Sequence, residues 1–307
     1  MIHTLTVNPA LDLTYRVPAL RYDDTVRAST VHRAAGGKGV NVSRVATRLG
    51  HATIAMGFAG GRAGEELLDL LRAEEVRTWF SWHDGRTRTN AILQDDAGRQ
   101  VRVSGPGPEV QGPEIEALTE AVFELRVPDA LVLSGSLLPG MPSDYYARLS
   151  GRAAEDGVTV AVDTDRHLRA SLAAGATVIK PNAFELGRLV GQSVDDAASA
   201  RRAGEAARAL GAEIVVCSLG AQGAVWIGAE GAWLAVPPRV EVDSALGAGD
   251  ALLAGVLVAR ADGADPAEAL RLGVACGTAT ALTPGTDLCR RDDVERVRAQ
   301  VTVERLD

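Results

Sequence analysis

The chain has 307 residues, 46% hydrophobic and 23% charged, which suits a globular protein able to bury a sizeable core. Its net charge of -8 argues against non-specific nucleic-acid binding, which needs a basic footprint, and its apolar runs fall far short of a membrane span. Any anion site must therefore show itself as a local motif rather than a charged face. The opening MIHTLTVNPALD lacks the basic-then-apolar pattern of a signal peptide. Cys217, Cys276 and Cys289 form no CxxC pair or His/Cys cluster, so reduced thiols in a cytoplasmic protein are expected.

Short β-prone runs at residues 2–7, 53–58, 130–133, 158–162, 177–179 and 214–217 read as strands. Between them, residues 64–73, 113–125, 143–154 and 195–210 carry helical periodicity. Strands alternating with helices of this length predict an α/β protein with a central, mostly parallel sheet between helices. Residues 225–227 and 233–236 read as a hairpin near one sheet edge, and the chain from Asp250 onward reads as helical. Residues 13–34 and 86–103 break the rhythm: they are polar, rich in Arg and Thr, and partly alternating. They are expected to pair into a small sheet of their own, a discontinuous β lid on a single domain spanning residues 1–307.

No GxxxxGK[ST] is present and no GxGxxG follows a strand, which excludes a P-loop and disfavours a dinucleotide-dependent oxidoreductase. Instead, Gly36-Gly37-Lys38-Gly39-Val40-Asn41 runs directly into a helical pattern. Glycines at a helix start let backbone N–H groups approach an anion, and a lysine adds a mobile point charge. The plainer reading is a tight loop with a solvated lysine.

A second cluster, Gly247-Ala248-Gly249-Asp250, also opens a helical run. Successive small residues expose N–H donors, a nest for charge developing on a transferring phosphoryl group. A carboxylate beside that nest is placed to accept a hydroxyl proton as the oxygen attacks phosphorus. Alternatively Asp250 only caps its helix. Four more polar clusters end predicted strands: Ser134-Gly135-Ser136, Asp163, Lys180-Pro181-Asn182 and Ser218-Leu219-Gly220. In open α/β sheets ligands bind at the carboxyl ends of strands, so these clusters should line one edge.

With GGKGVNVSR, Asn182 and Glu185, SLGAQG and GAGD in that order, the chain resembles the ribokinase-like (PfkB) sugar kinases over essentially its full length. TVNPALD, the lysine of GGKG, TRTN and LSGSLLPG are similar to the phosphosugar-kinase branch, which holds 1-phosphofructokinase, tagatose-6-phosphate kinase and the minor 6-phosphofructokinase. The resemblance implies the ribokinase fold, with a β lid that often mediates homodimer formation, and transfer of the ATP γ-phosphoryl group to a ketohexose monophosphate, foremost fructose 1-phosphate.

The resemblance also implies roles. Asp250 matches the catalytic base, and Gly247, Ala248 and Gly249 the anion hole. Asp12, Gly37 and Asn41 match positions holding sugar hydroxyls; Lys38, Arg88 and Ser136 match positions near the phosphate already on the substrate. Lys180, Asn182 and the loop with Ser218, Gly220 and Gly223 match the ATP side, with Asn182 and Glu185 organising Mg²⁺ through water. Ser244, Leu246 and Gly285 fall where some relatives bind a potassium ion. Ala245 replaces the usual Thr or Ser, Leu138 replaces a proline of SLPPG, and the turn 163–166 departs from DxSG. A kinase of an unphosphorylated sugar and a silent sugar-phosphate sensor are the competing readings. Two cations aimed at a neutral ligand oppose the first, and an intact base and hole oppose the second.

Overall fold

The computed structural model describes residues 1–21, 23–124, 128–164 and 166–307. The end of the predicted helix at residue 125, Tyr22 of the predicted lid and Asp165 of the departing turn lie outside the described residues.

The strands β1 (Ile2–Thr6), β4 (Thr53–Ala59), β5 (Arg77–Trp82), β8 (Ala130–Ser134), β9 (Thr159–Asp163), β10 (Val178–Ile179) and β11 (Ile214–Ser218) pair in parallel. The sheet continues antiparallel through β12 (Ala224–Gly228), β13 (Gly231–Val236) and β14 (Thr302–Leu306). Its order is β14-β13-β12-β11-β10-β9-β8-β1-β4-β5. The expected hairpin is present, but β14 lies outside it and forms the edge. Both β5 and β14 lie beyond the predicted strands. In β14 the alternating half-exposed TVERL is an edge pattern that carries little apolar signal.

The period of two along β1 explains how both faces are filled. Ile2 faces a core shared with α8 (Ala248–Ala261) and α9 (Pro266–Ala281), whereas Leu5 faces the core built with α3 (Gly112–Glu124) and α4 (Tyr145–Glu155). Residues 250 to 259 of α8 are all buried, because that helix is flanked by α1 (Lys38–Arg48) and α9 and shares a core with the sheet; hence its nearly unbroken apolar sequence. Hydroxyls dock α1 on the sheet. Thr4 Oγ1 bonds Ser43 Oγ at 2.8 Å, Ser43 Oγ bonds Thr53 Oγ1 at 2.7 Å, and Val40 N donates to Thr6 Oγ1 at 3.0 Å.

A separate sheet has the order β3-β2-β6-β7, from β2 (Ala10–Val17), β3 (Thr30–Gly36), β6 (Arg88–Asp95) and β7 (Gln100–Ser104). It forms from the stretches expected to pair into a small sheet of their own and begins three residues earlier than residue 13, so it includes Asp12; it is called the lid below. Pairing is antiparallel for β2–β3 and β6–β7 and parallel for β2–β6. Among the described residues no helix is long and apolar enough to cross a membrane.

Candidate active site

Strand order reverses at β1, which has β4 on one side and β8 on the other. A crevice opens at such a reversal, beyond the carboxyl ends of the strands. The glycine turn before α1 fills it. Gly37 has φ +127°, and a Cβ there would lie 2.8 Å from Thr6 Cγ2, so only glycine lets the backbone pass so close to β1. As expected, Ser134, Asp163, Lys180 and Ser218 all stand at the carboxyl ends of parallel strands or just beyond them.

The amide of Asn41, one turn into α1, reaches across the crevice and donates from Nδ2 to Asp250 Oδ2 at 2.8 Å. Gly247, the N-cap of α8, has φ +79° and makes no side-chain cap, and a Cβ there would lie 2.7 Å from Leu288 Cδ2. Asp250 sits in the first turn of α8 behind that bare start. Burial pushes its carboxyl up, the neighbouring Asp163 pushes the same way, and Asn41, Lys180 and Lys38 oppose them, leaving it at about 6. A carboxyl at that value is a proton acceptor at neutral pH.

Asp163 organises the cations beside it. Its Oδ1 accepts from Lys38 Nζ at 2.8 Å, and its Oδ2 lies 3.3 Å from Lys180 Nζ. Burial alone would raise this carboxyl, but the two lysines hold it low and ionised. Burial would lower Lys38, yet Asp163 raises it overall. The resemblance implies a place for Lys38 near the substrate's own phosphate; in the structure Lys38 lines the cleft and meets Asp163, the carboxylate it shares with Lys180, since a buried Asp163 must be neutralised. Lys180 Nζ lies 3.1 Å from where a Cβ on Gly249 would stand, so it flanks the nest.

The inner face of the lid supplies the rest. Asn90 Nδ2 donates to Asp12 Oδ1 at 2.6 Å across β2 and β6. Burial raises the Asp12 carboxyl, while Asn90, Arg102, Arg44 and Arg88 draw it down. Arg88 is braced by the carbonyls of Gly105 (2.9 Å) and Asn8 (3.0 Å), and Asn8 Nδ2 also donates to Ser136 Oγ at 3.1 Å. Arg88 and Ser136 thus meet at Asn8. Burial and the like charge of Arg102 both lower Arg88. Arg102 stands opposite Ile92 on β7 and lines the same cleft as Asp12, Lys38, Asn41 and Asp250. Arg102 carries no ion pair or hydrogen bond among the described residues. Sequence reading missed Arg102, Asn8 and Asn90. The alternation of VRVS against NAILQ places Arg102 on the face of Asn90 and was the available signal.

Beyond the nest lies a mainly apolar cavity of about 620 Å³, lined by Ser218, Gly220, Gly223, Ala245 and Gly249 among others, a size suited to a small organic cofactor. The departure at Ala245 therefore falls on this wall. Asn182 and Glu185 form a capping box at α6 (Ala183–Val190): Glu185 N donates to Asn182 Oδ1 and Asn182 N to Glu185 Oε2. The second carboxylate oxygen of Glu185 has no hydrogen-bond partner among the described residues. Among the described residues no cluster of three or more His, Cys, Asp or Glu could cage a metal. Ser244, Leu246 and Gly285 come together: Ser244 Oγ donates to Gly285 O at 2.7 Å and accepts from Leu246 N at 3.3 Å.

Residues 6–293 match the model of the pfkB family of carbohydrate kinases. The chain is 35% identical over 305 residues to the ATP-dependent 6-phosphofructokinase isozyme 2 of Escherichia coli (strain K12), covering 98% of this chain and 99% of that protein. It is 32% identical to the 1-phosphofructokinase of Bacillus subtilis (strain 168), covering all of both chains. The crystal structure of Escherichia coli phosphofructokinase-2 in complex with substrates and products superposes with a TM-score of 0.93 at 35% identity, covering 97% of this chain and 98% of that one.

Proposed function

Since the chain belongs to the pfkB family of carbohydrate kinases and is a phosphofructokinase-type sugar-phosphate kinase, we propose that it transfers the γ-phosphoryl group of ATP to a hydroxyl of fructose 1-phosphate. The observation that carries the phosphosugar reading is Arg102, a guanidinium without an ion pair among the described residues in the cleft that Asp250 also lines, with Arg88 on the same sheet near enough for the like charge to lower it. Two neighbouring cations without an anion between them are unfavourable; a non-reacting phosphate turns that repulsion into binding.

Asp250 accepts the proton of the attacking hydroxyl, and the amides at Gly247, Ala248 and Gly249 face the charge that builds on the transferred group. Lys38 and Lys180, fixed by Asp163, add positive charge beside it. Asp12, held by Asn90, and Asn41 orient the sugar hydroxyls. The 620 Å³ cavity receives the nucleotide. Asn182 and Glu185 would hold Mg²⁺ through water, where it would neutralise the phosphates, and the oxygens of Ser244, Leu246 and Gly285 would suit a potassium ion.

Fructose 6-phosphate is the second reading, favoured by the 35% identity to the Escherichia coli isozyme. A coupled ADP-release assay over fructose 1-phosphate, fructose 6-phosphate, tagatose 6-phosphate and fructose separates them. The highest kcat/KM on fructose 1-phosphate is expected; equal efficiency on free fructose would sink the phosphosugar assignment.

A further inference from the structure

The lid does more than cover the sugar site. Arg16 on β2 pairs with Gln94 on β6, and Gln94 pairs with Gln100 on β7, so the three make one row across the lid. They share the inner face with Asp12, Asn90 and Arg102, which lie at even spacings along the same strands.

All three side chains reach the same two residues of the core. Gln94 Nε2 donates to the backbone oxygen of Asp243 at 2.8 Å and to Asp243 Oδ1 at 2.7 Å. Arg16 Nη1 donates to Asp243 Oδ1 at 3.3 Å, and Gln100 Nε2 to Ser244 Oγ at 3.0 Å. Ser244 in turn holds Gly285 O and Leu246 N, and Leu246 leads directly into the nest at Gly247. One row further along the lid, Thr14 presses on the second loop: a Cβ on Gly285 would lie 2.8 Å from Thr14 Cγ2. Both loops that frame the start of α8 are thus held by the sheet that carries the sugar-side groups.

We infer that Gln94 is a positioning residue that couples lid closure to the geometry of the anion hole. The cleft beneath the lid encloses about 50 Å³, far below the ~300–1,000 Å³ of ordinary small-molecule sites, so the lid moves to admit a hexose phosphate. When it moves, the row releases Asp243 and Ser244; when it closes over the sugar, the row sets them again. The nest is complete only over bound substrate, which disfavours transfer to water. Gln94 is suited to this role. It is 1% exposed, spends its amide nitrogen twice on Asp243, and leaves its own Oε1 buried without a partner.

The coupling rests on the reading of Gly247–Gly249 and Asp250 given above, and its test uses the full chain with ATP and the preferred sugar phosphate. Gln94→Ala should lower kcat about ten-fold or more, as for loss of a hydrogen bond to a charged group. Equilibrium dissociation constants for sugar phosphate and ATP should move much less. Gln94→Glu sets a carboxylate against that of Asp243 and should be worse. Adding Asp243→Asn to Gln94→Glu lets the introduced carboxylate accept from the introduced amide, and should recover most of kcat. Should the Gln94 variants fold poorly, Gln100→Ala at the half-buried rim of the row shows the same split between kcat and binding. Wild-type kcat in Gln94→Ala, binding and kcat falling together, or a double variant no better than Gln94→Glu overturns the coupling; for Gln100→Ala, unchanged kcat does so. An active Asp250→Asn variant would instead sink the reading of the nest, whatever Gln94 does.

Discussion

Asn41 and Asp250, 209 positions apart in the chain, are joined by a 2.8 Å hydrogen bond between the first turns of two helices. The bond holds one oxygen of the Asp250 carboxylate, and Asp250 lines the cleft. Asp250→Asn should therefore preserve the fold and nucleotide binding while lowering kcat by about 10²–10⁴, the usual loss for a general base. Steady-state kinetics beside a nucleotide titration checks this; a variant within a few-fold of wild type would reduce Asp250 to a helix cap.

The raised Asp250 carboxyl sets a pH limb. A base at about 6 loses its ionised form as pH falls, so kcat/KM should drop tenfold per unit below pH ~6. Asn41 stabilises the charged form, so Asn41→Ala moves the limb to higher pH; Asp163 destabilises it, so Asp163→Asn moves it lower. For stability the sign is opposite. A carboxyl raised in the folded state contributes most below its unfolded value of 3.8, and that contribution is lost as pH rises through about 6. Asp250→Asn should accordingly melt no lower than wild type at pH 8, which thermal unfolding reads directly.

Arg102 and Arg88 should fail differently. Arg102 is exposed and makes no hydrogen bond among the described residues, so Arg102→Ala should raise the sugar-phosphate KM about ten- to a hundred-fold while kcat and Tm stay near wild type. Arg88 also braces the carbonyls of Asn8 and Gly105, so Arg88→Ala should raise KM and lower Tm. An Arg102→Ala enzyme with unchanged KM would leave the phosphate to Arg88 and Ser136.

The outer face of the lid is where we propose that a homodimer forms. Val31, Tyr15, Leu93 and Val101 form one row across its four strands, and Arg33, Leu13, Ala91 and Val103 the next. Val31, Val101 and Val103 are 49%, 40% and 60% exposed, an apolar face of the kind that marks a contact. Replacing Val101 and Val103 together by Asp should shift the protein toward monomer in sedimentation equilibrium; an unchanged mass would place the interface elsewhere.

The sequence by itself determined the alternation that builds a parallel sheet, the two glycine-rich helix starts and the polar strand ends, because each is a local pattern: a period, a turn residue, a cap. It also separated the lid stretches from the sheet, since their polarity is incompatible with strands buried on both faces. Tertiary structure decided the partners. Nothing local shows that Lys38 meets Asp163; the pairing follows from placing the ends of α1, β9 and β10 around one buried carboxylate. The alternation of VRVS set Arg102 apart from Val101 and Val103, but only the pairing of β7 with β6 decided which face of the lid its side chain occupies. The row Arg16, Gln94 and Gln100 exists only through cross-strand register, a relation between residues up to 84 positions apart that no short window of sequence contains.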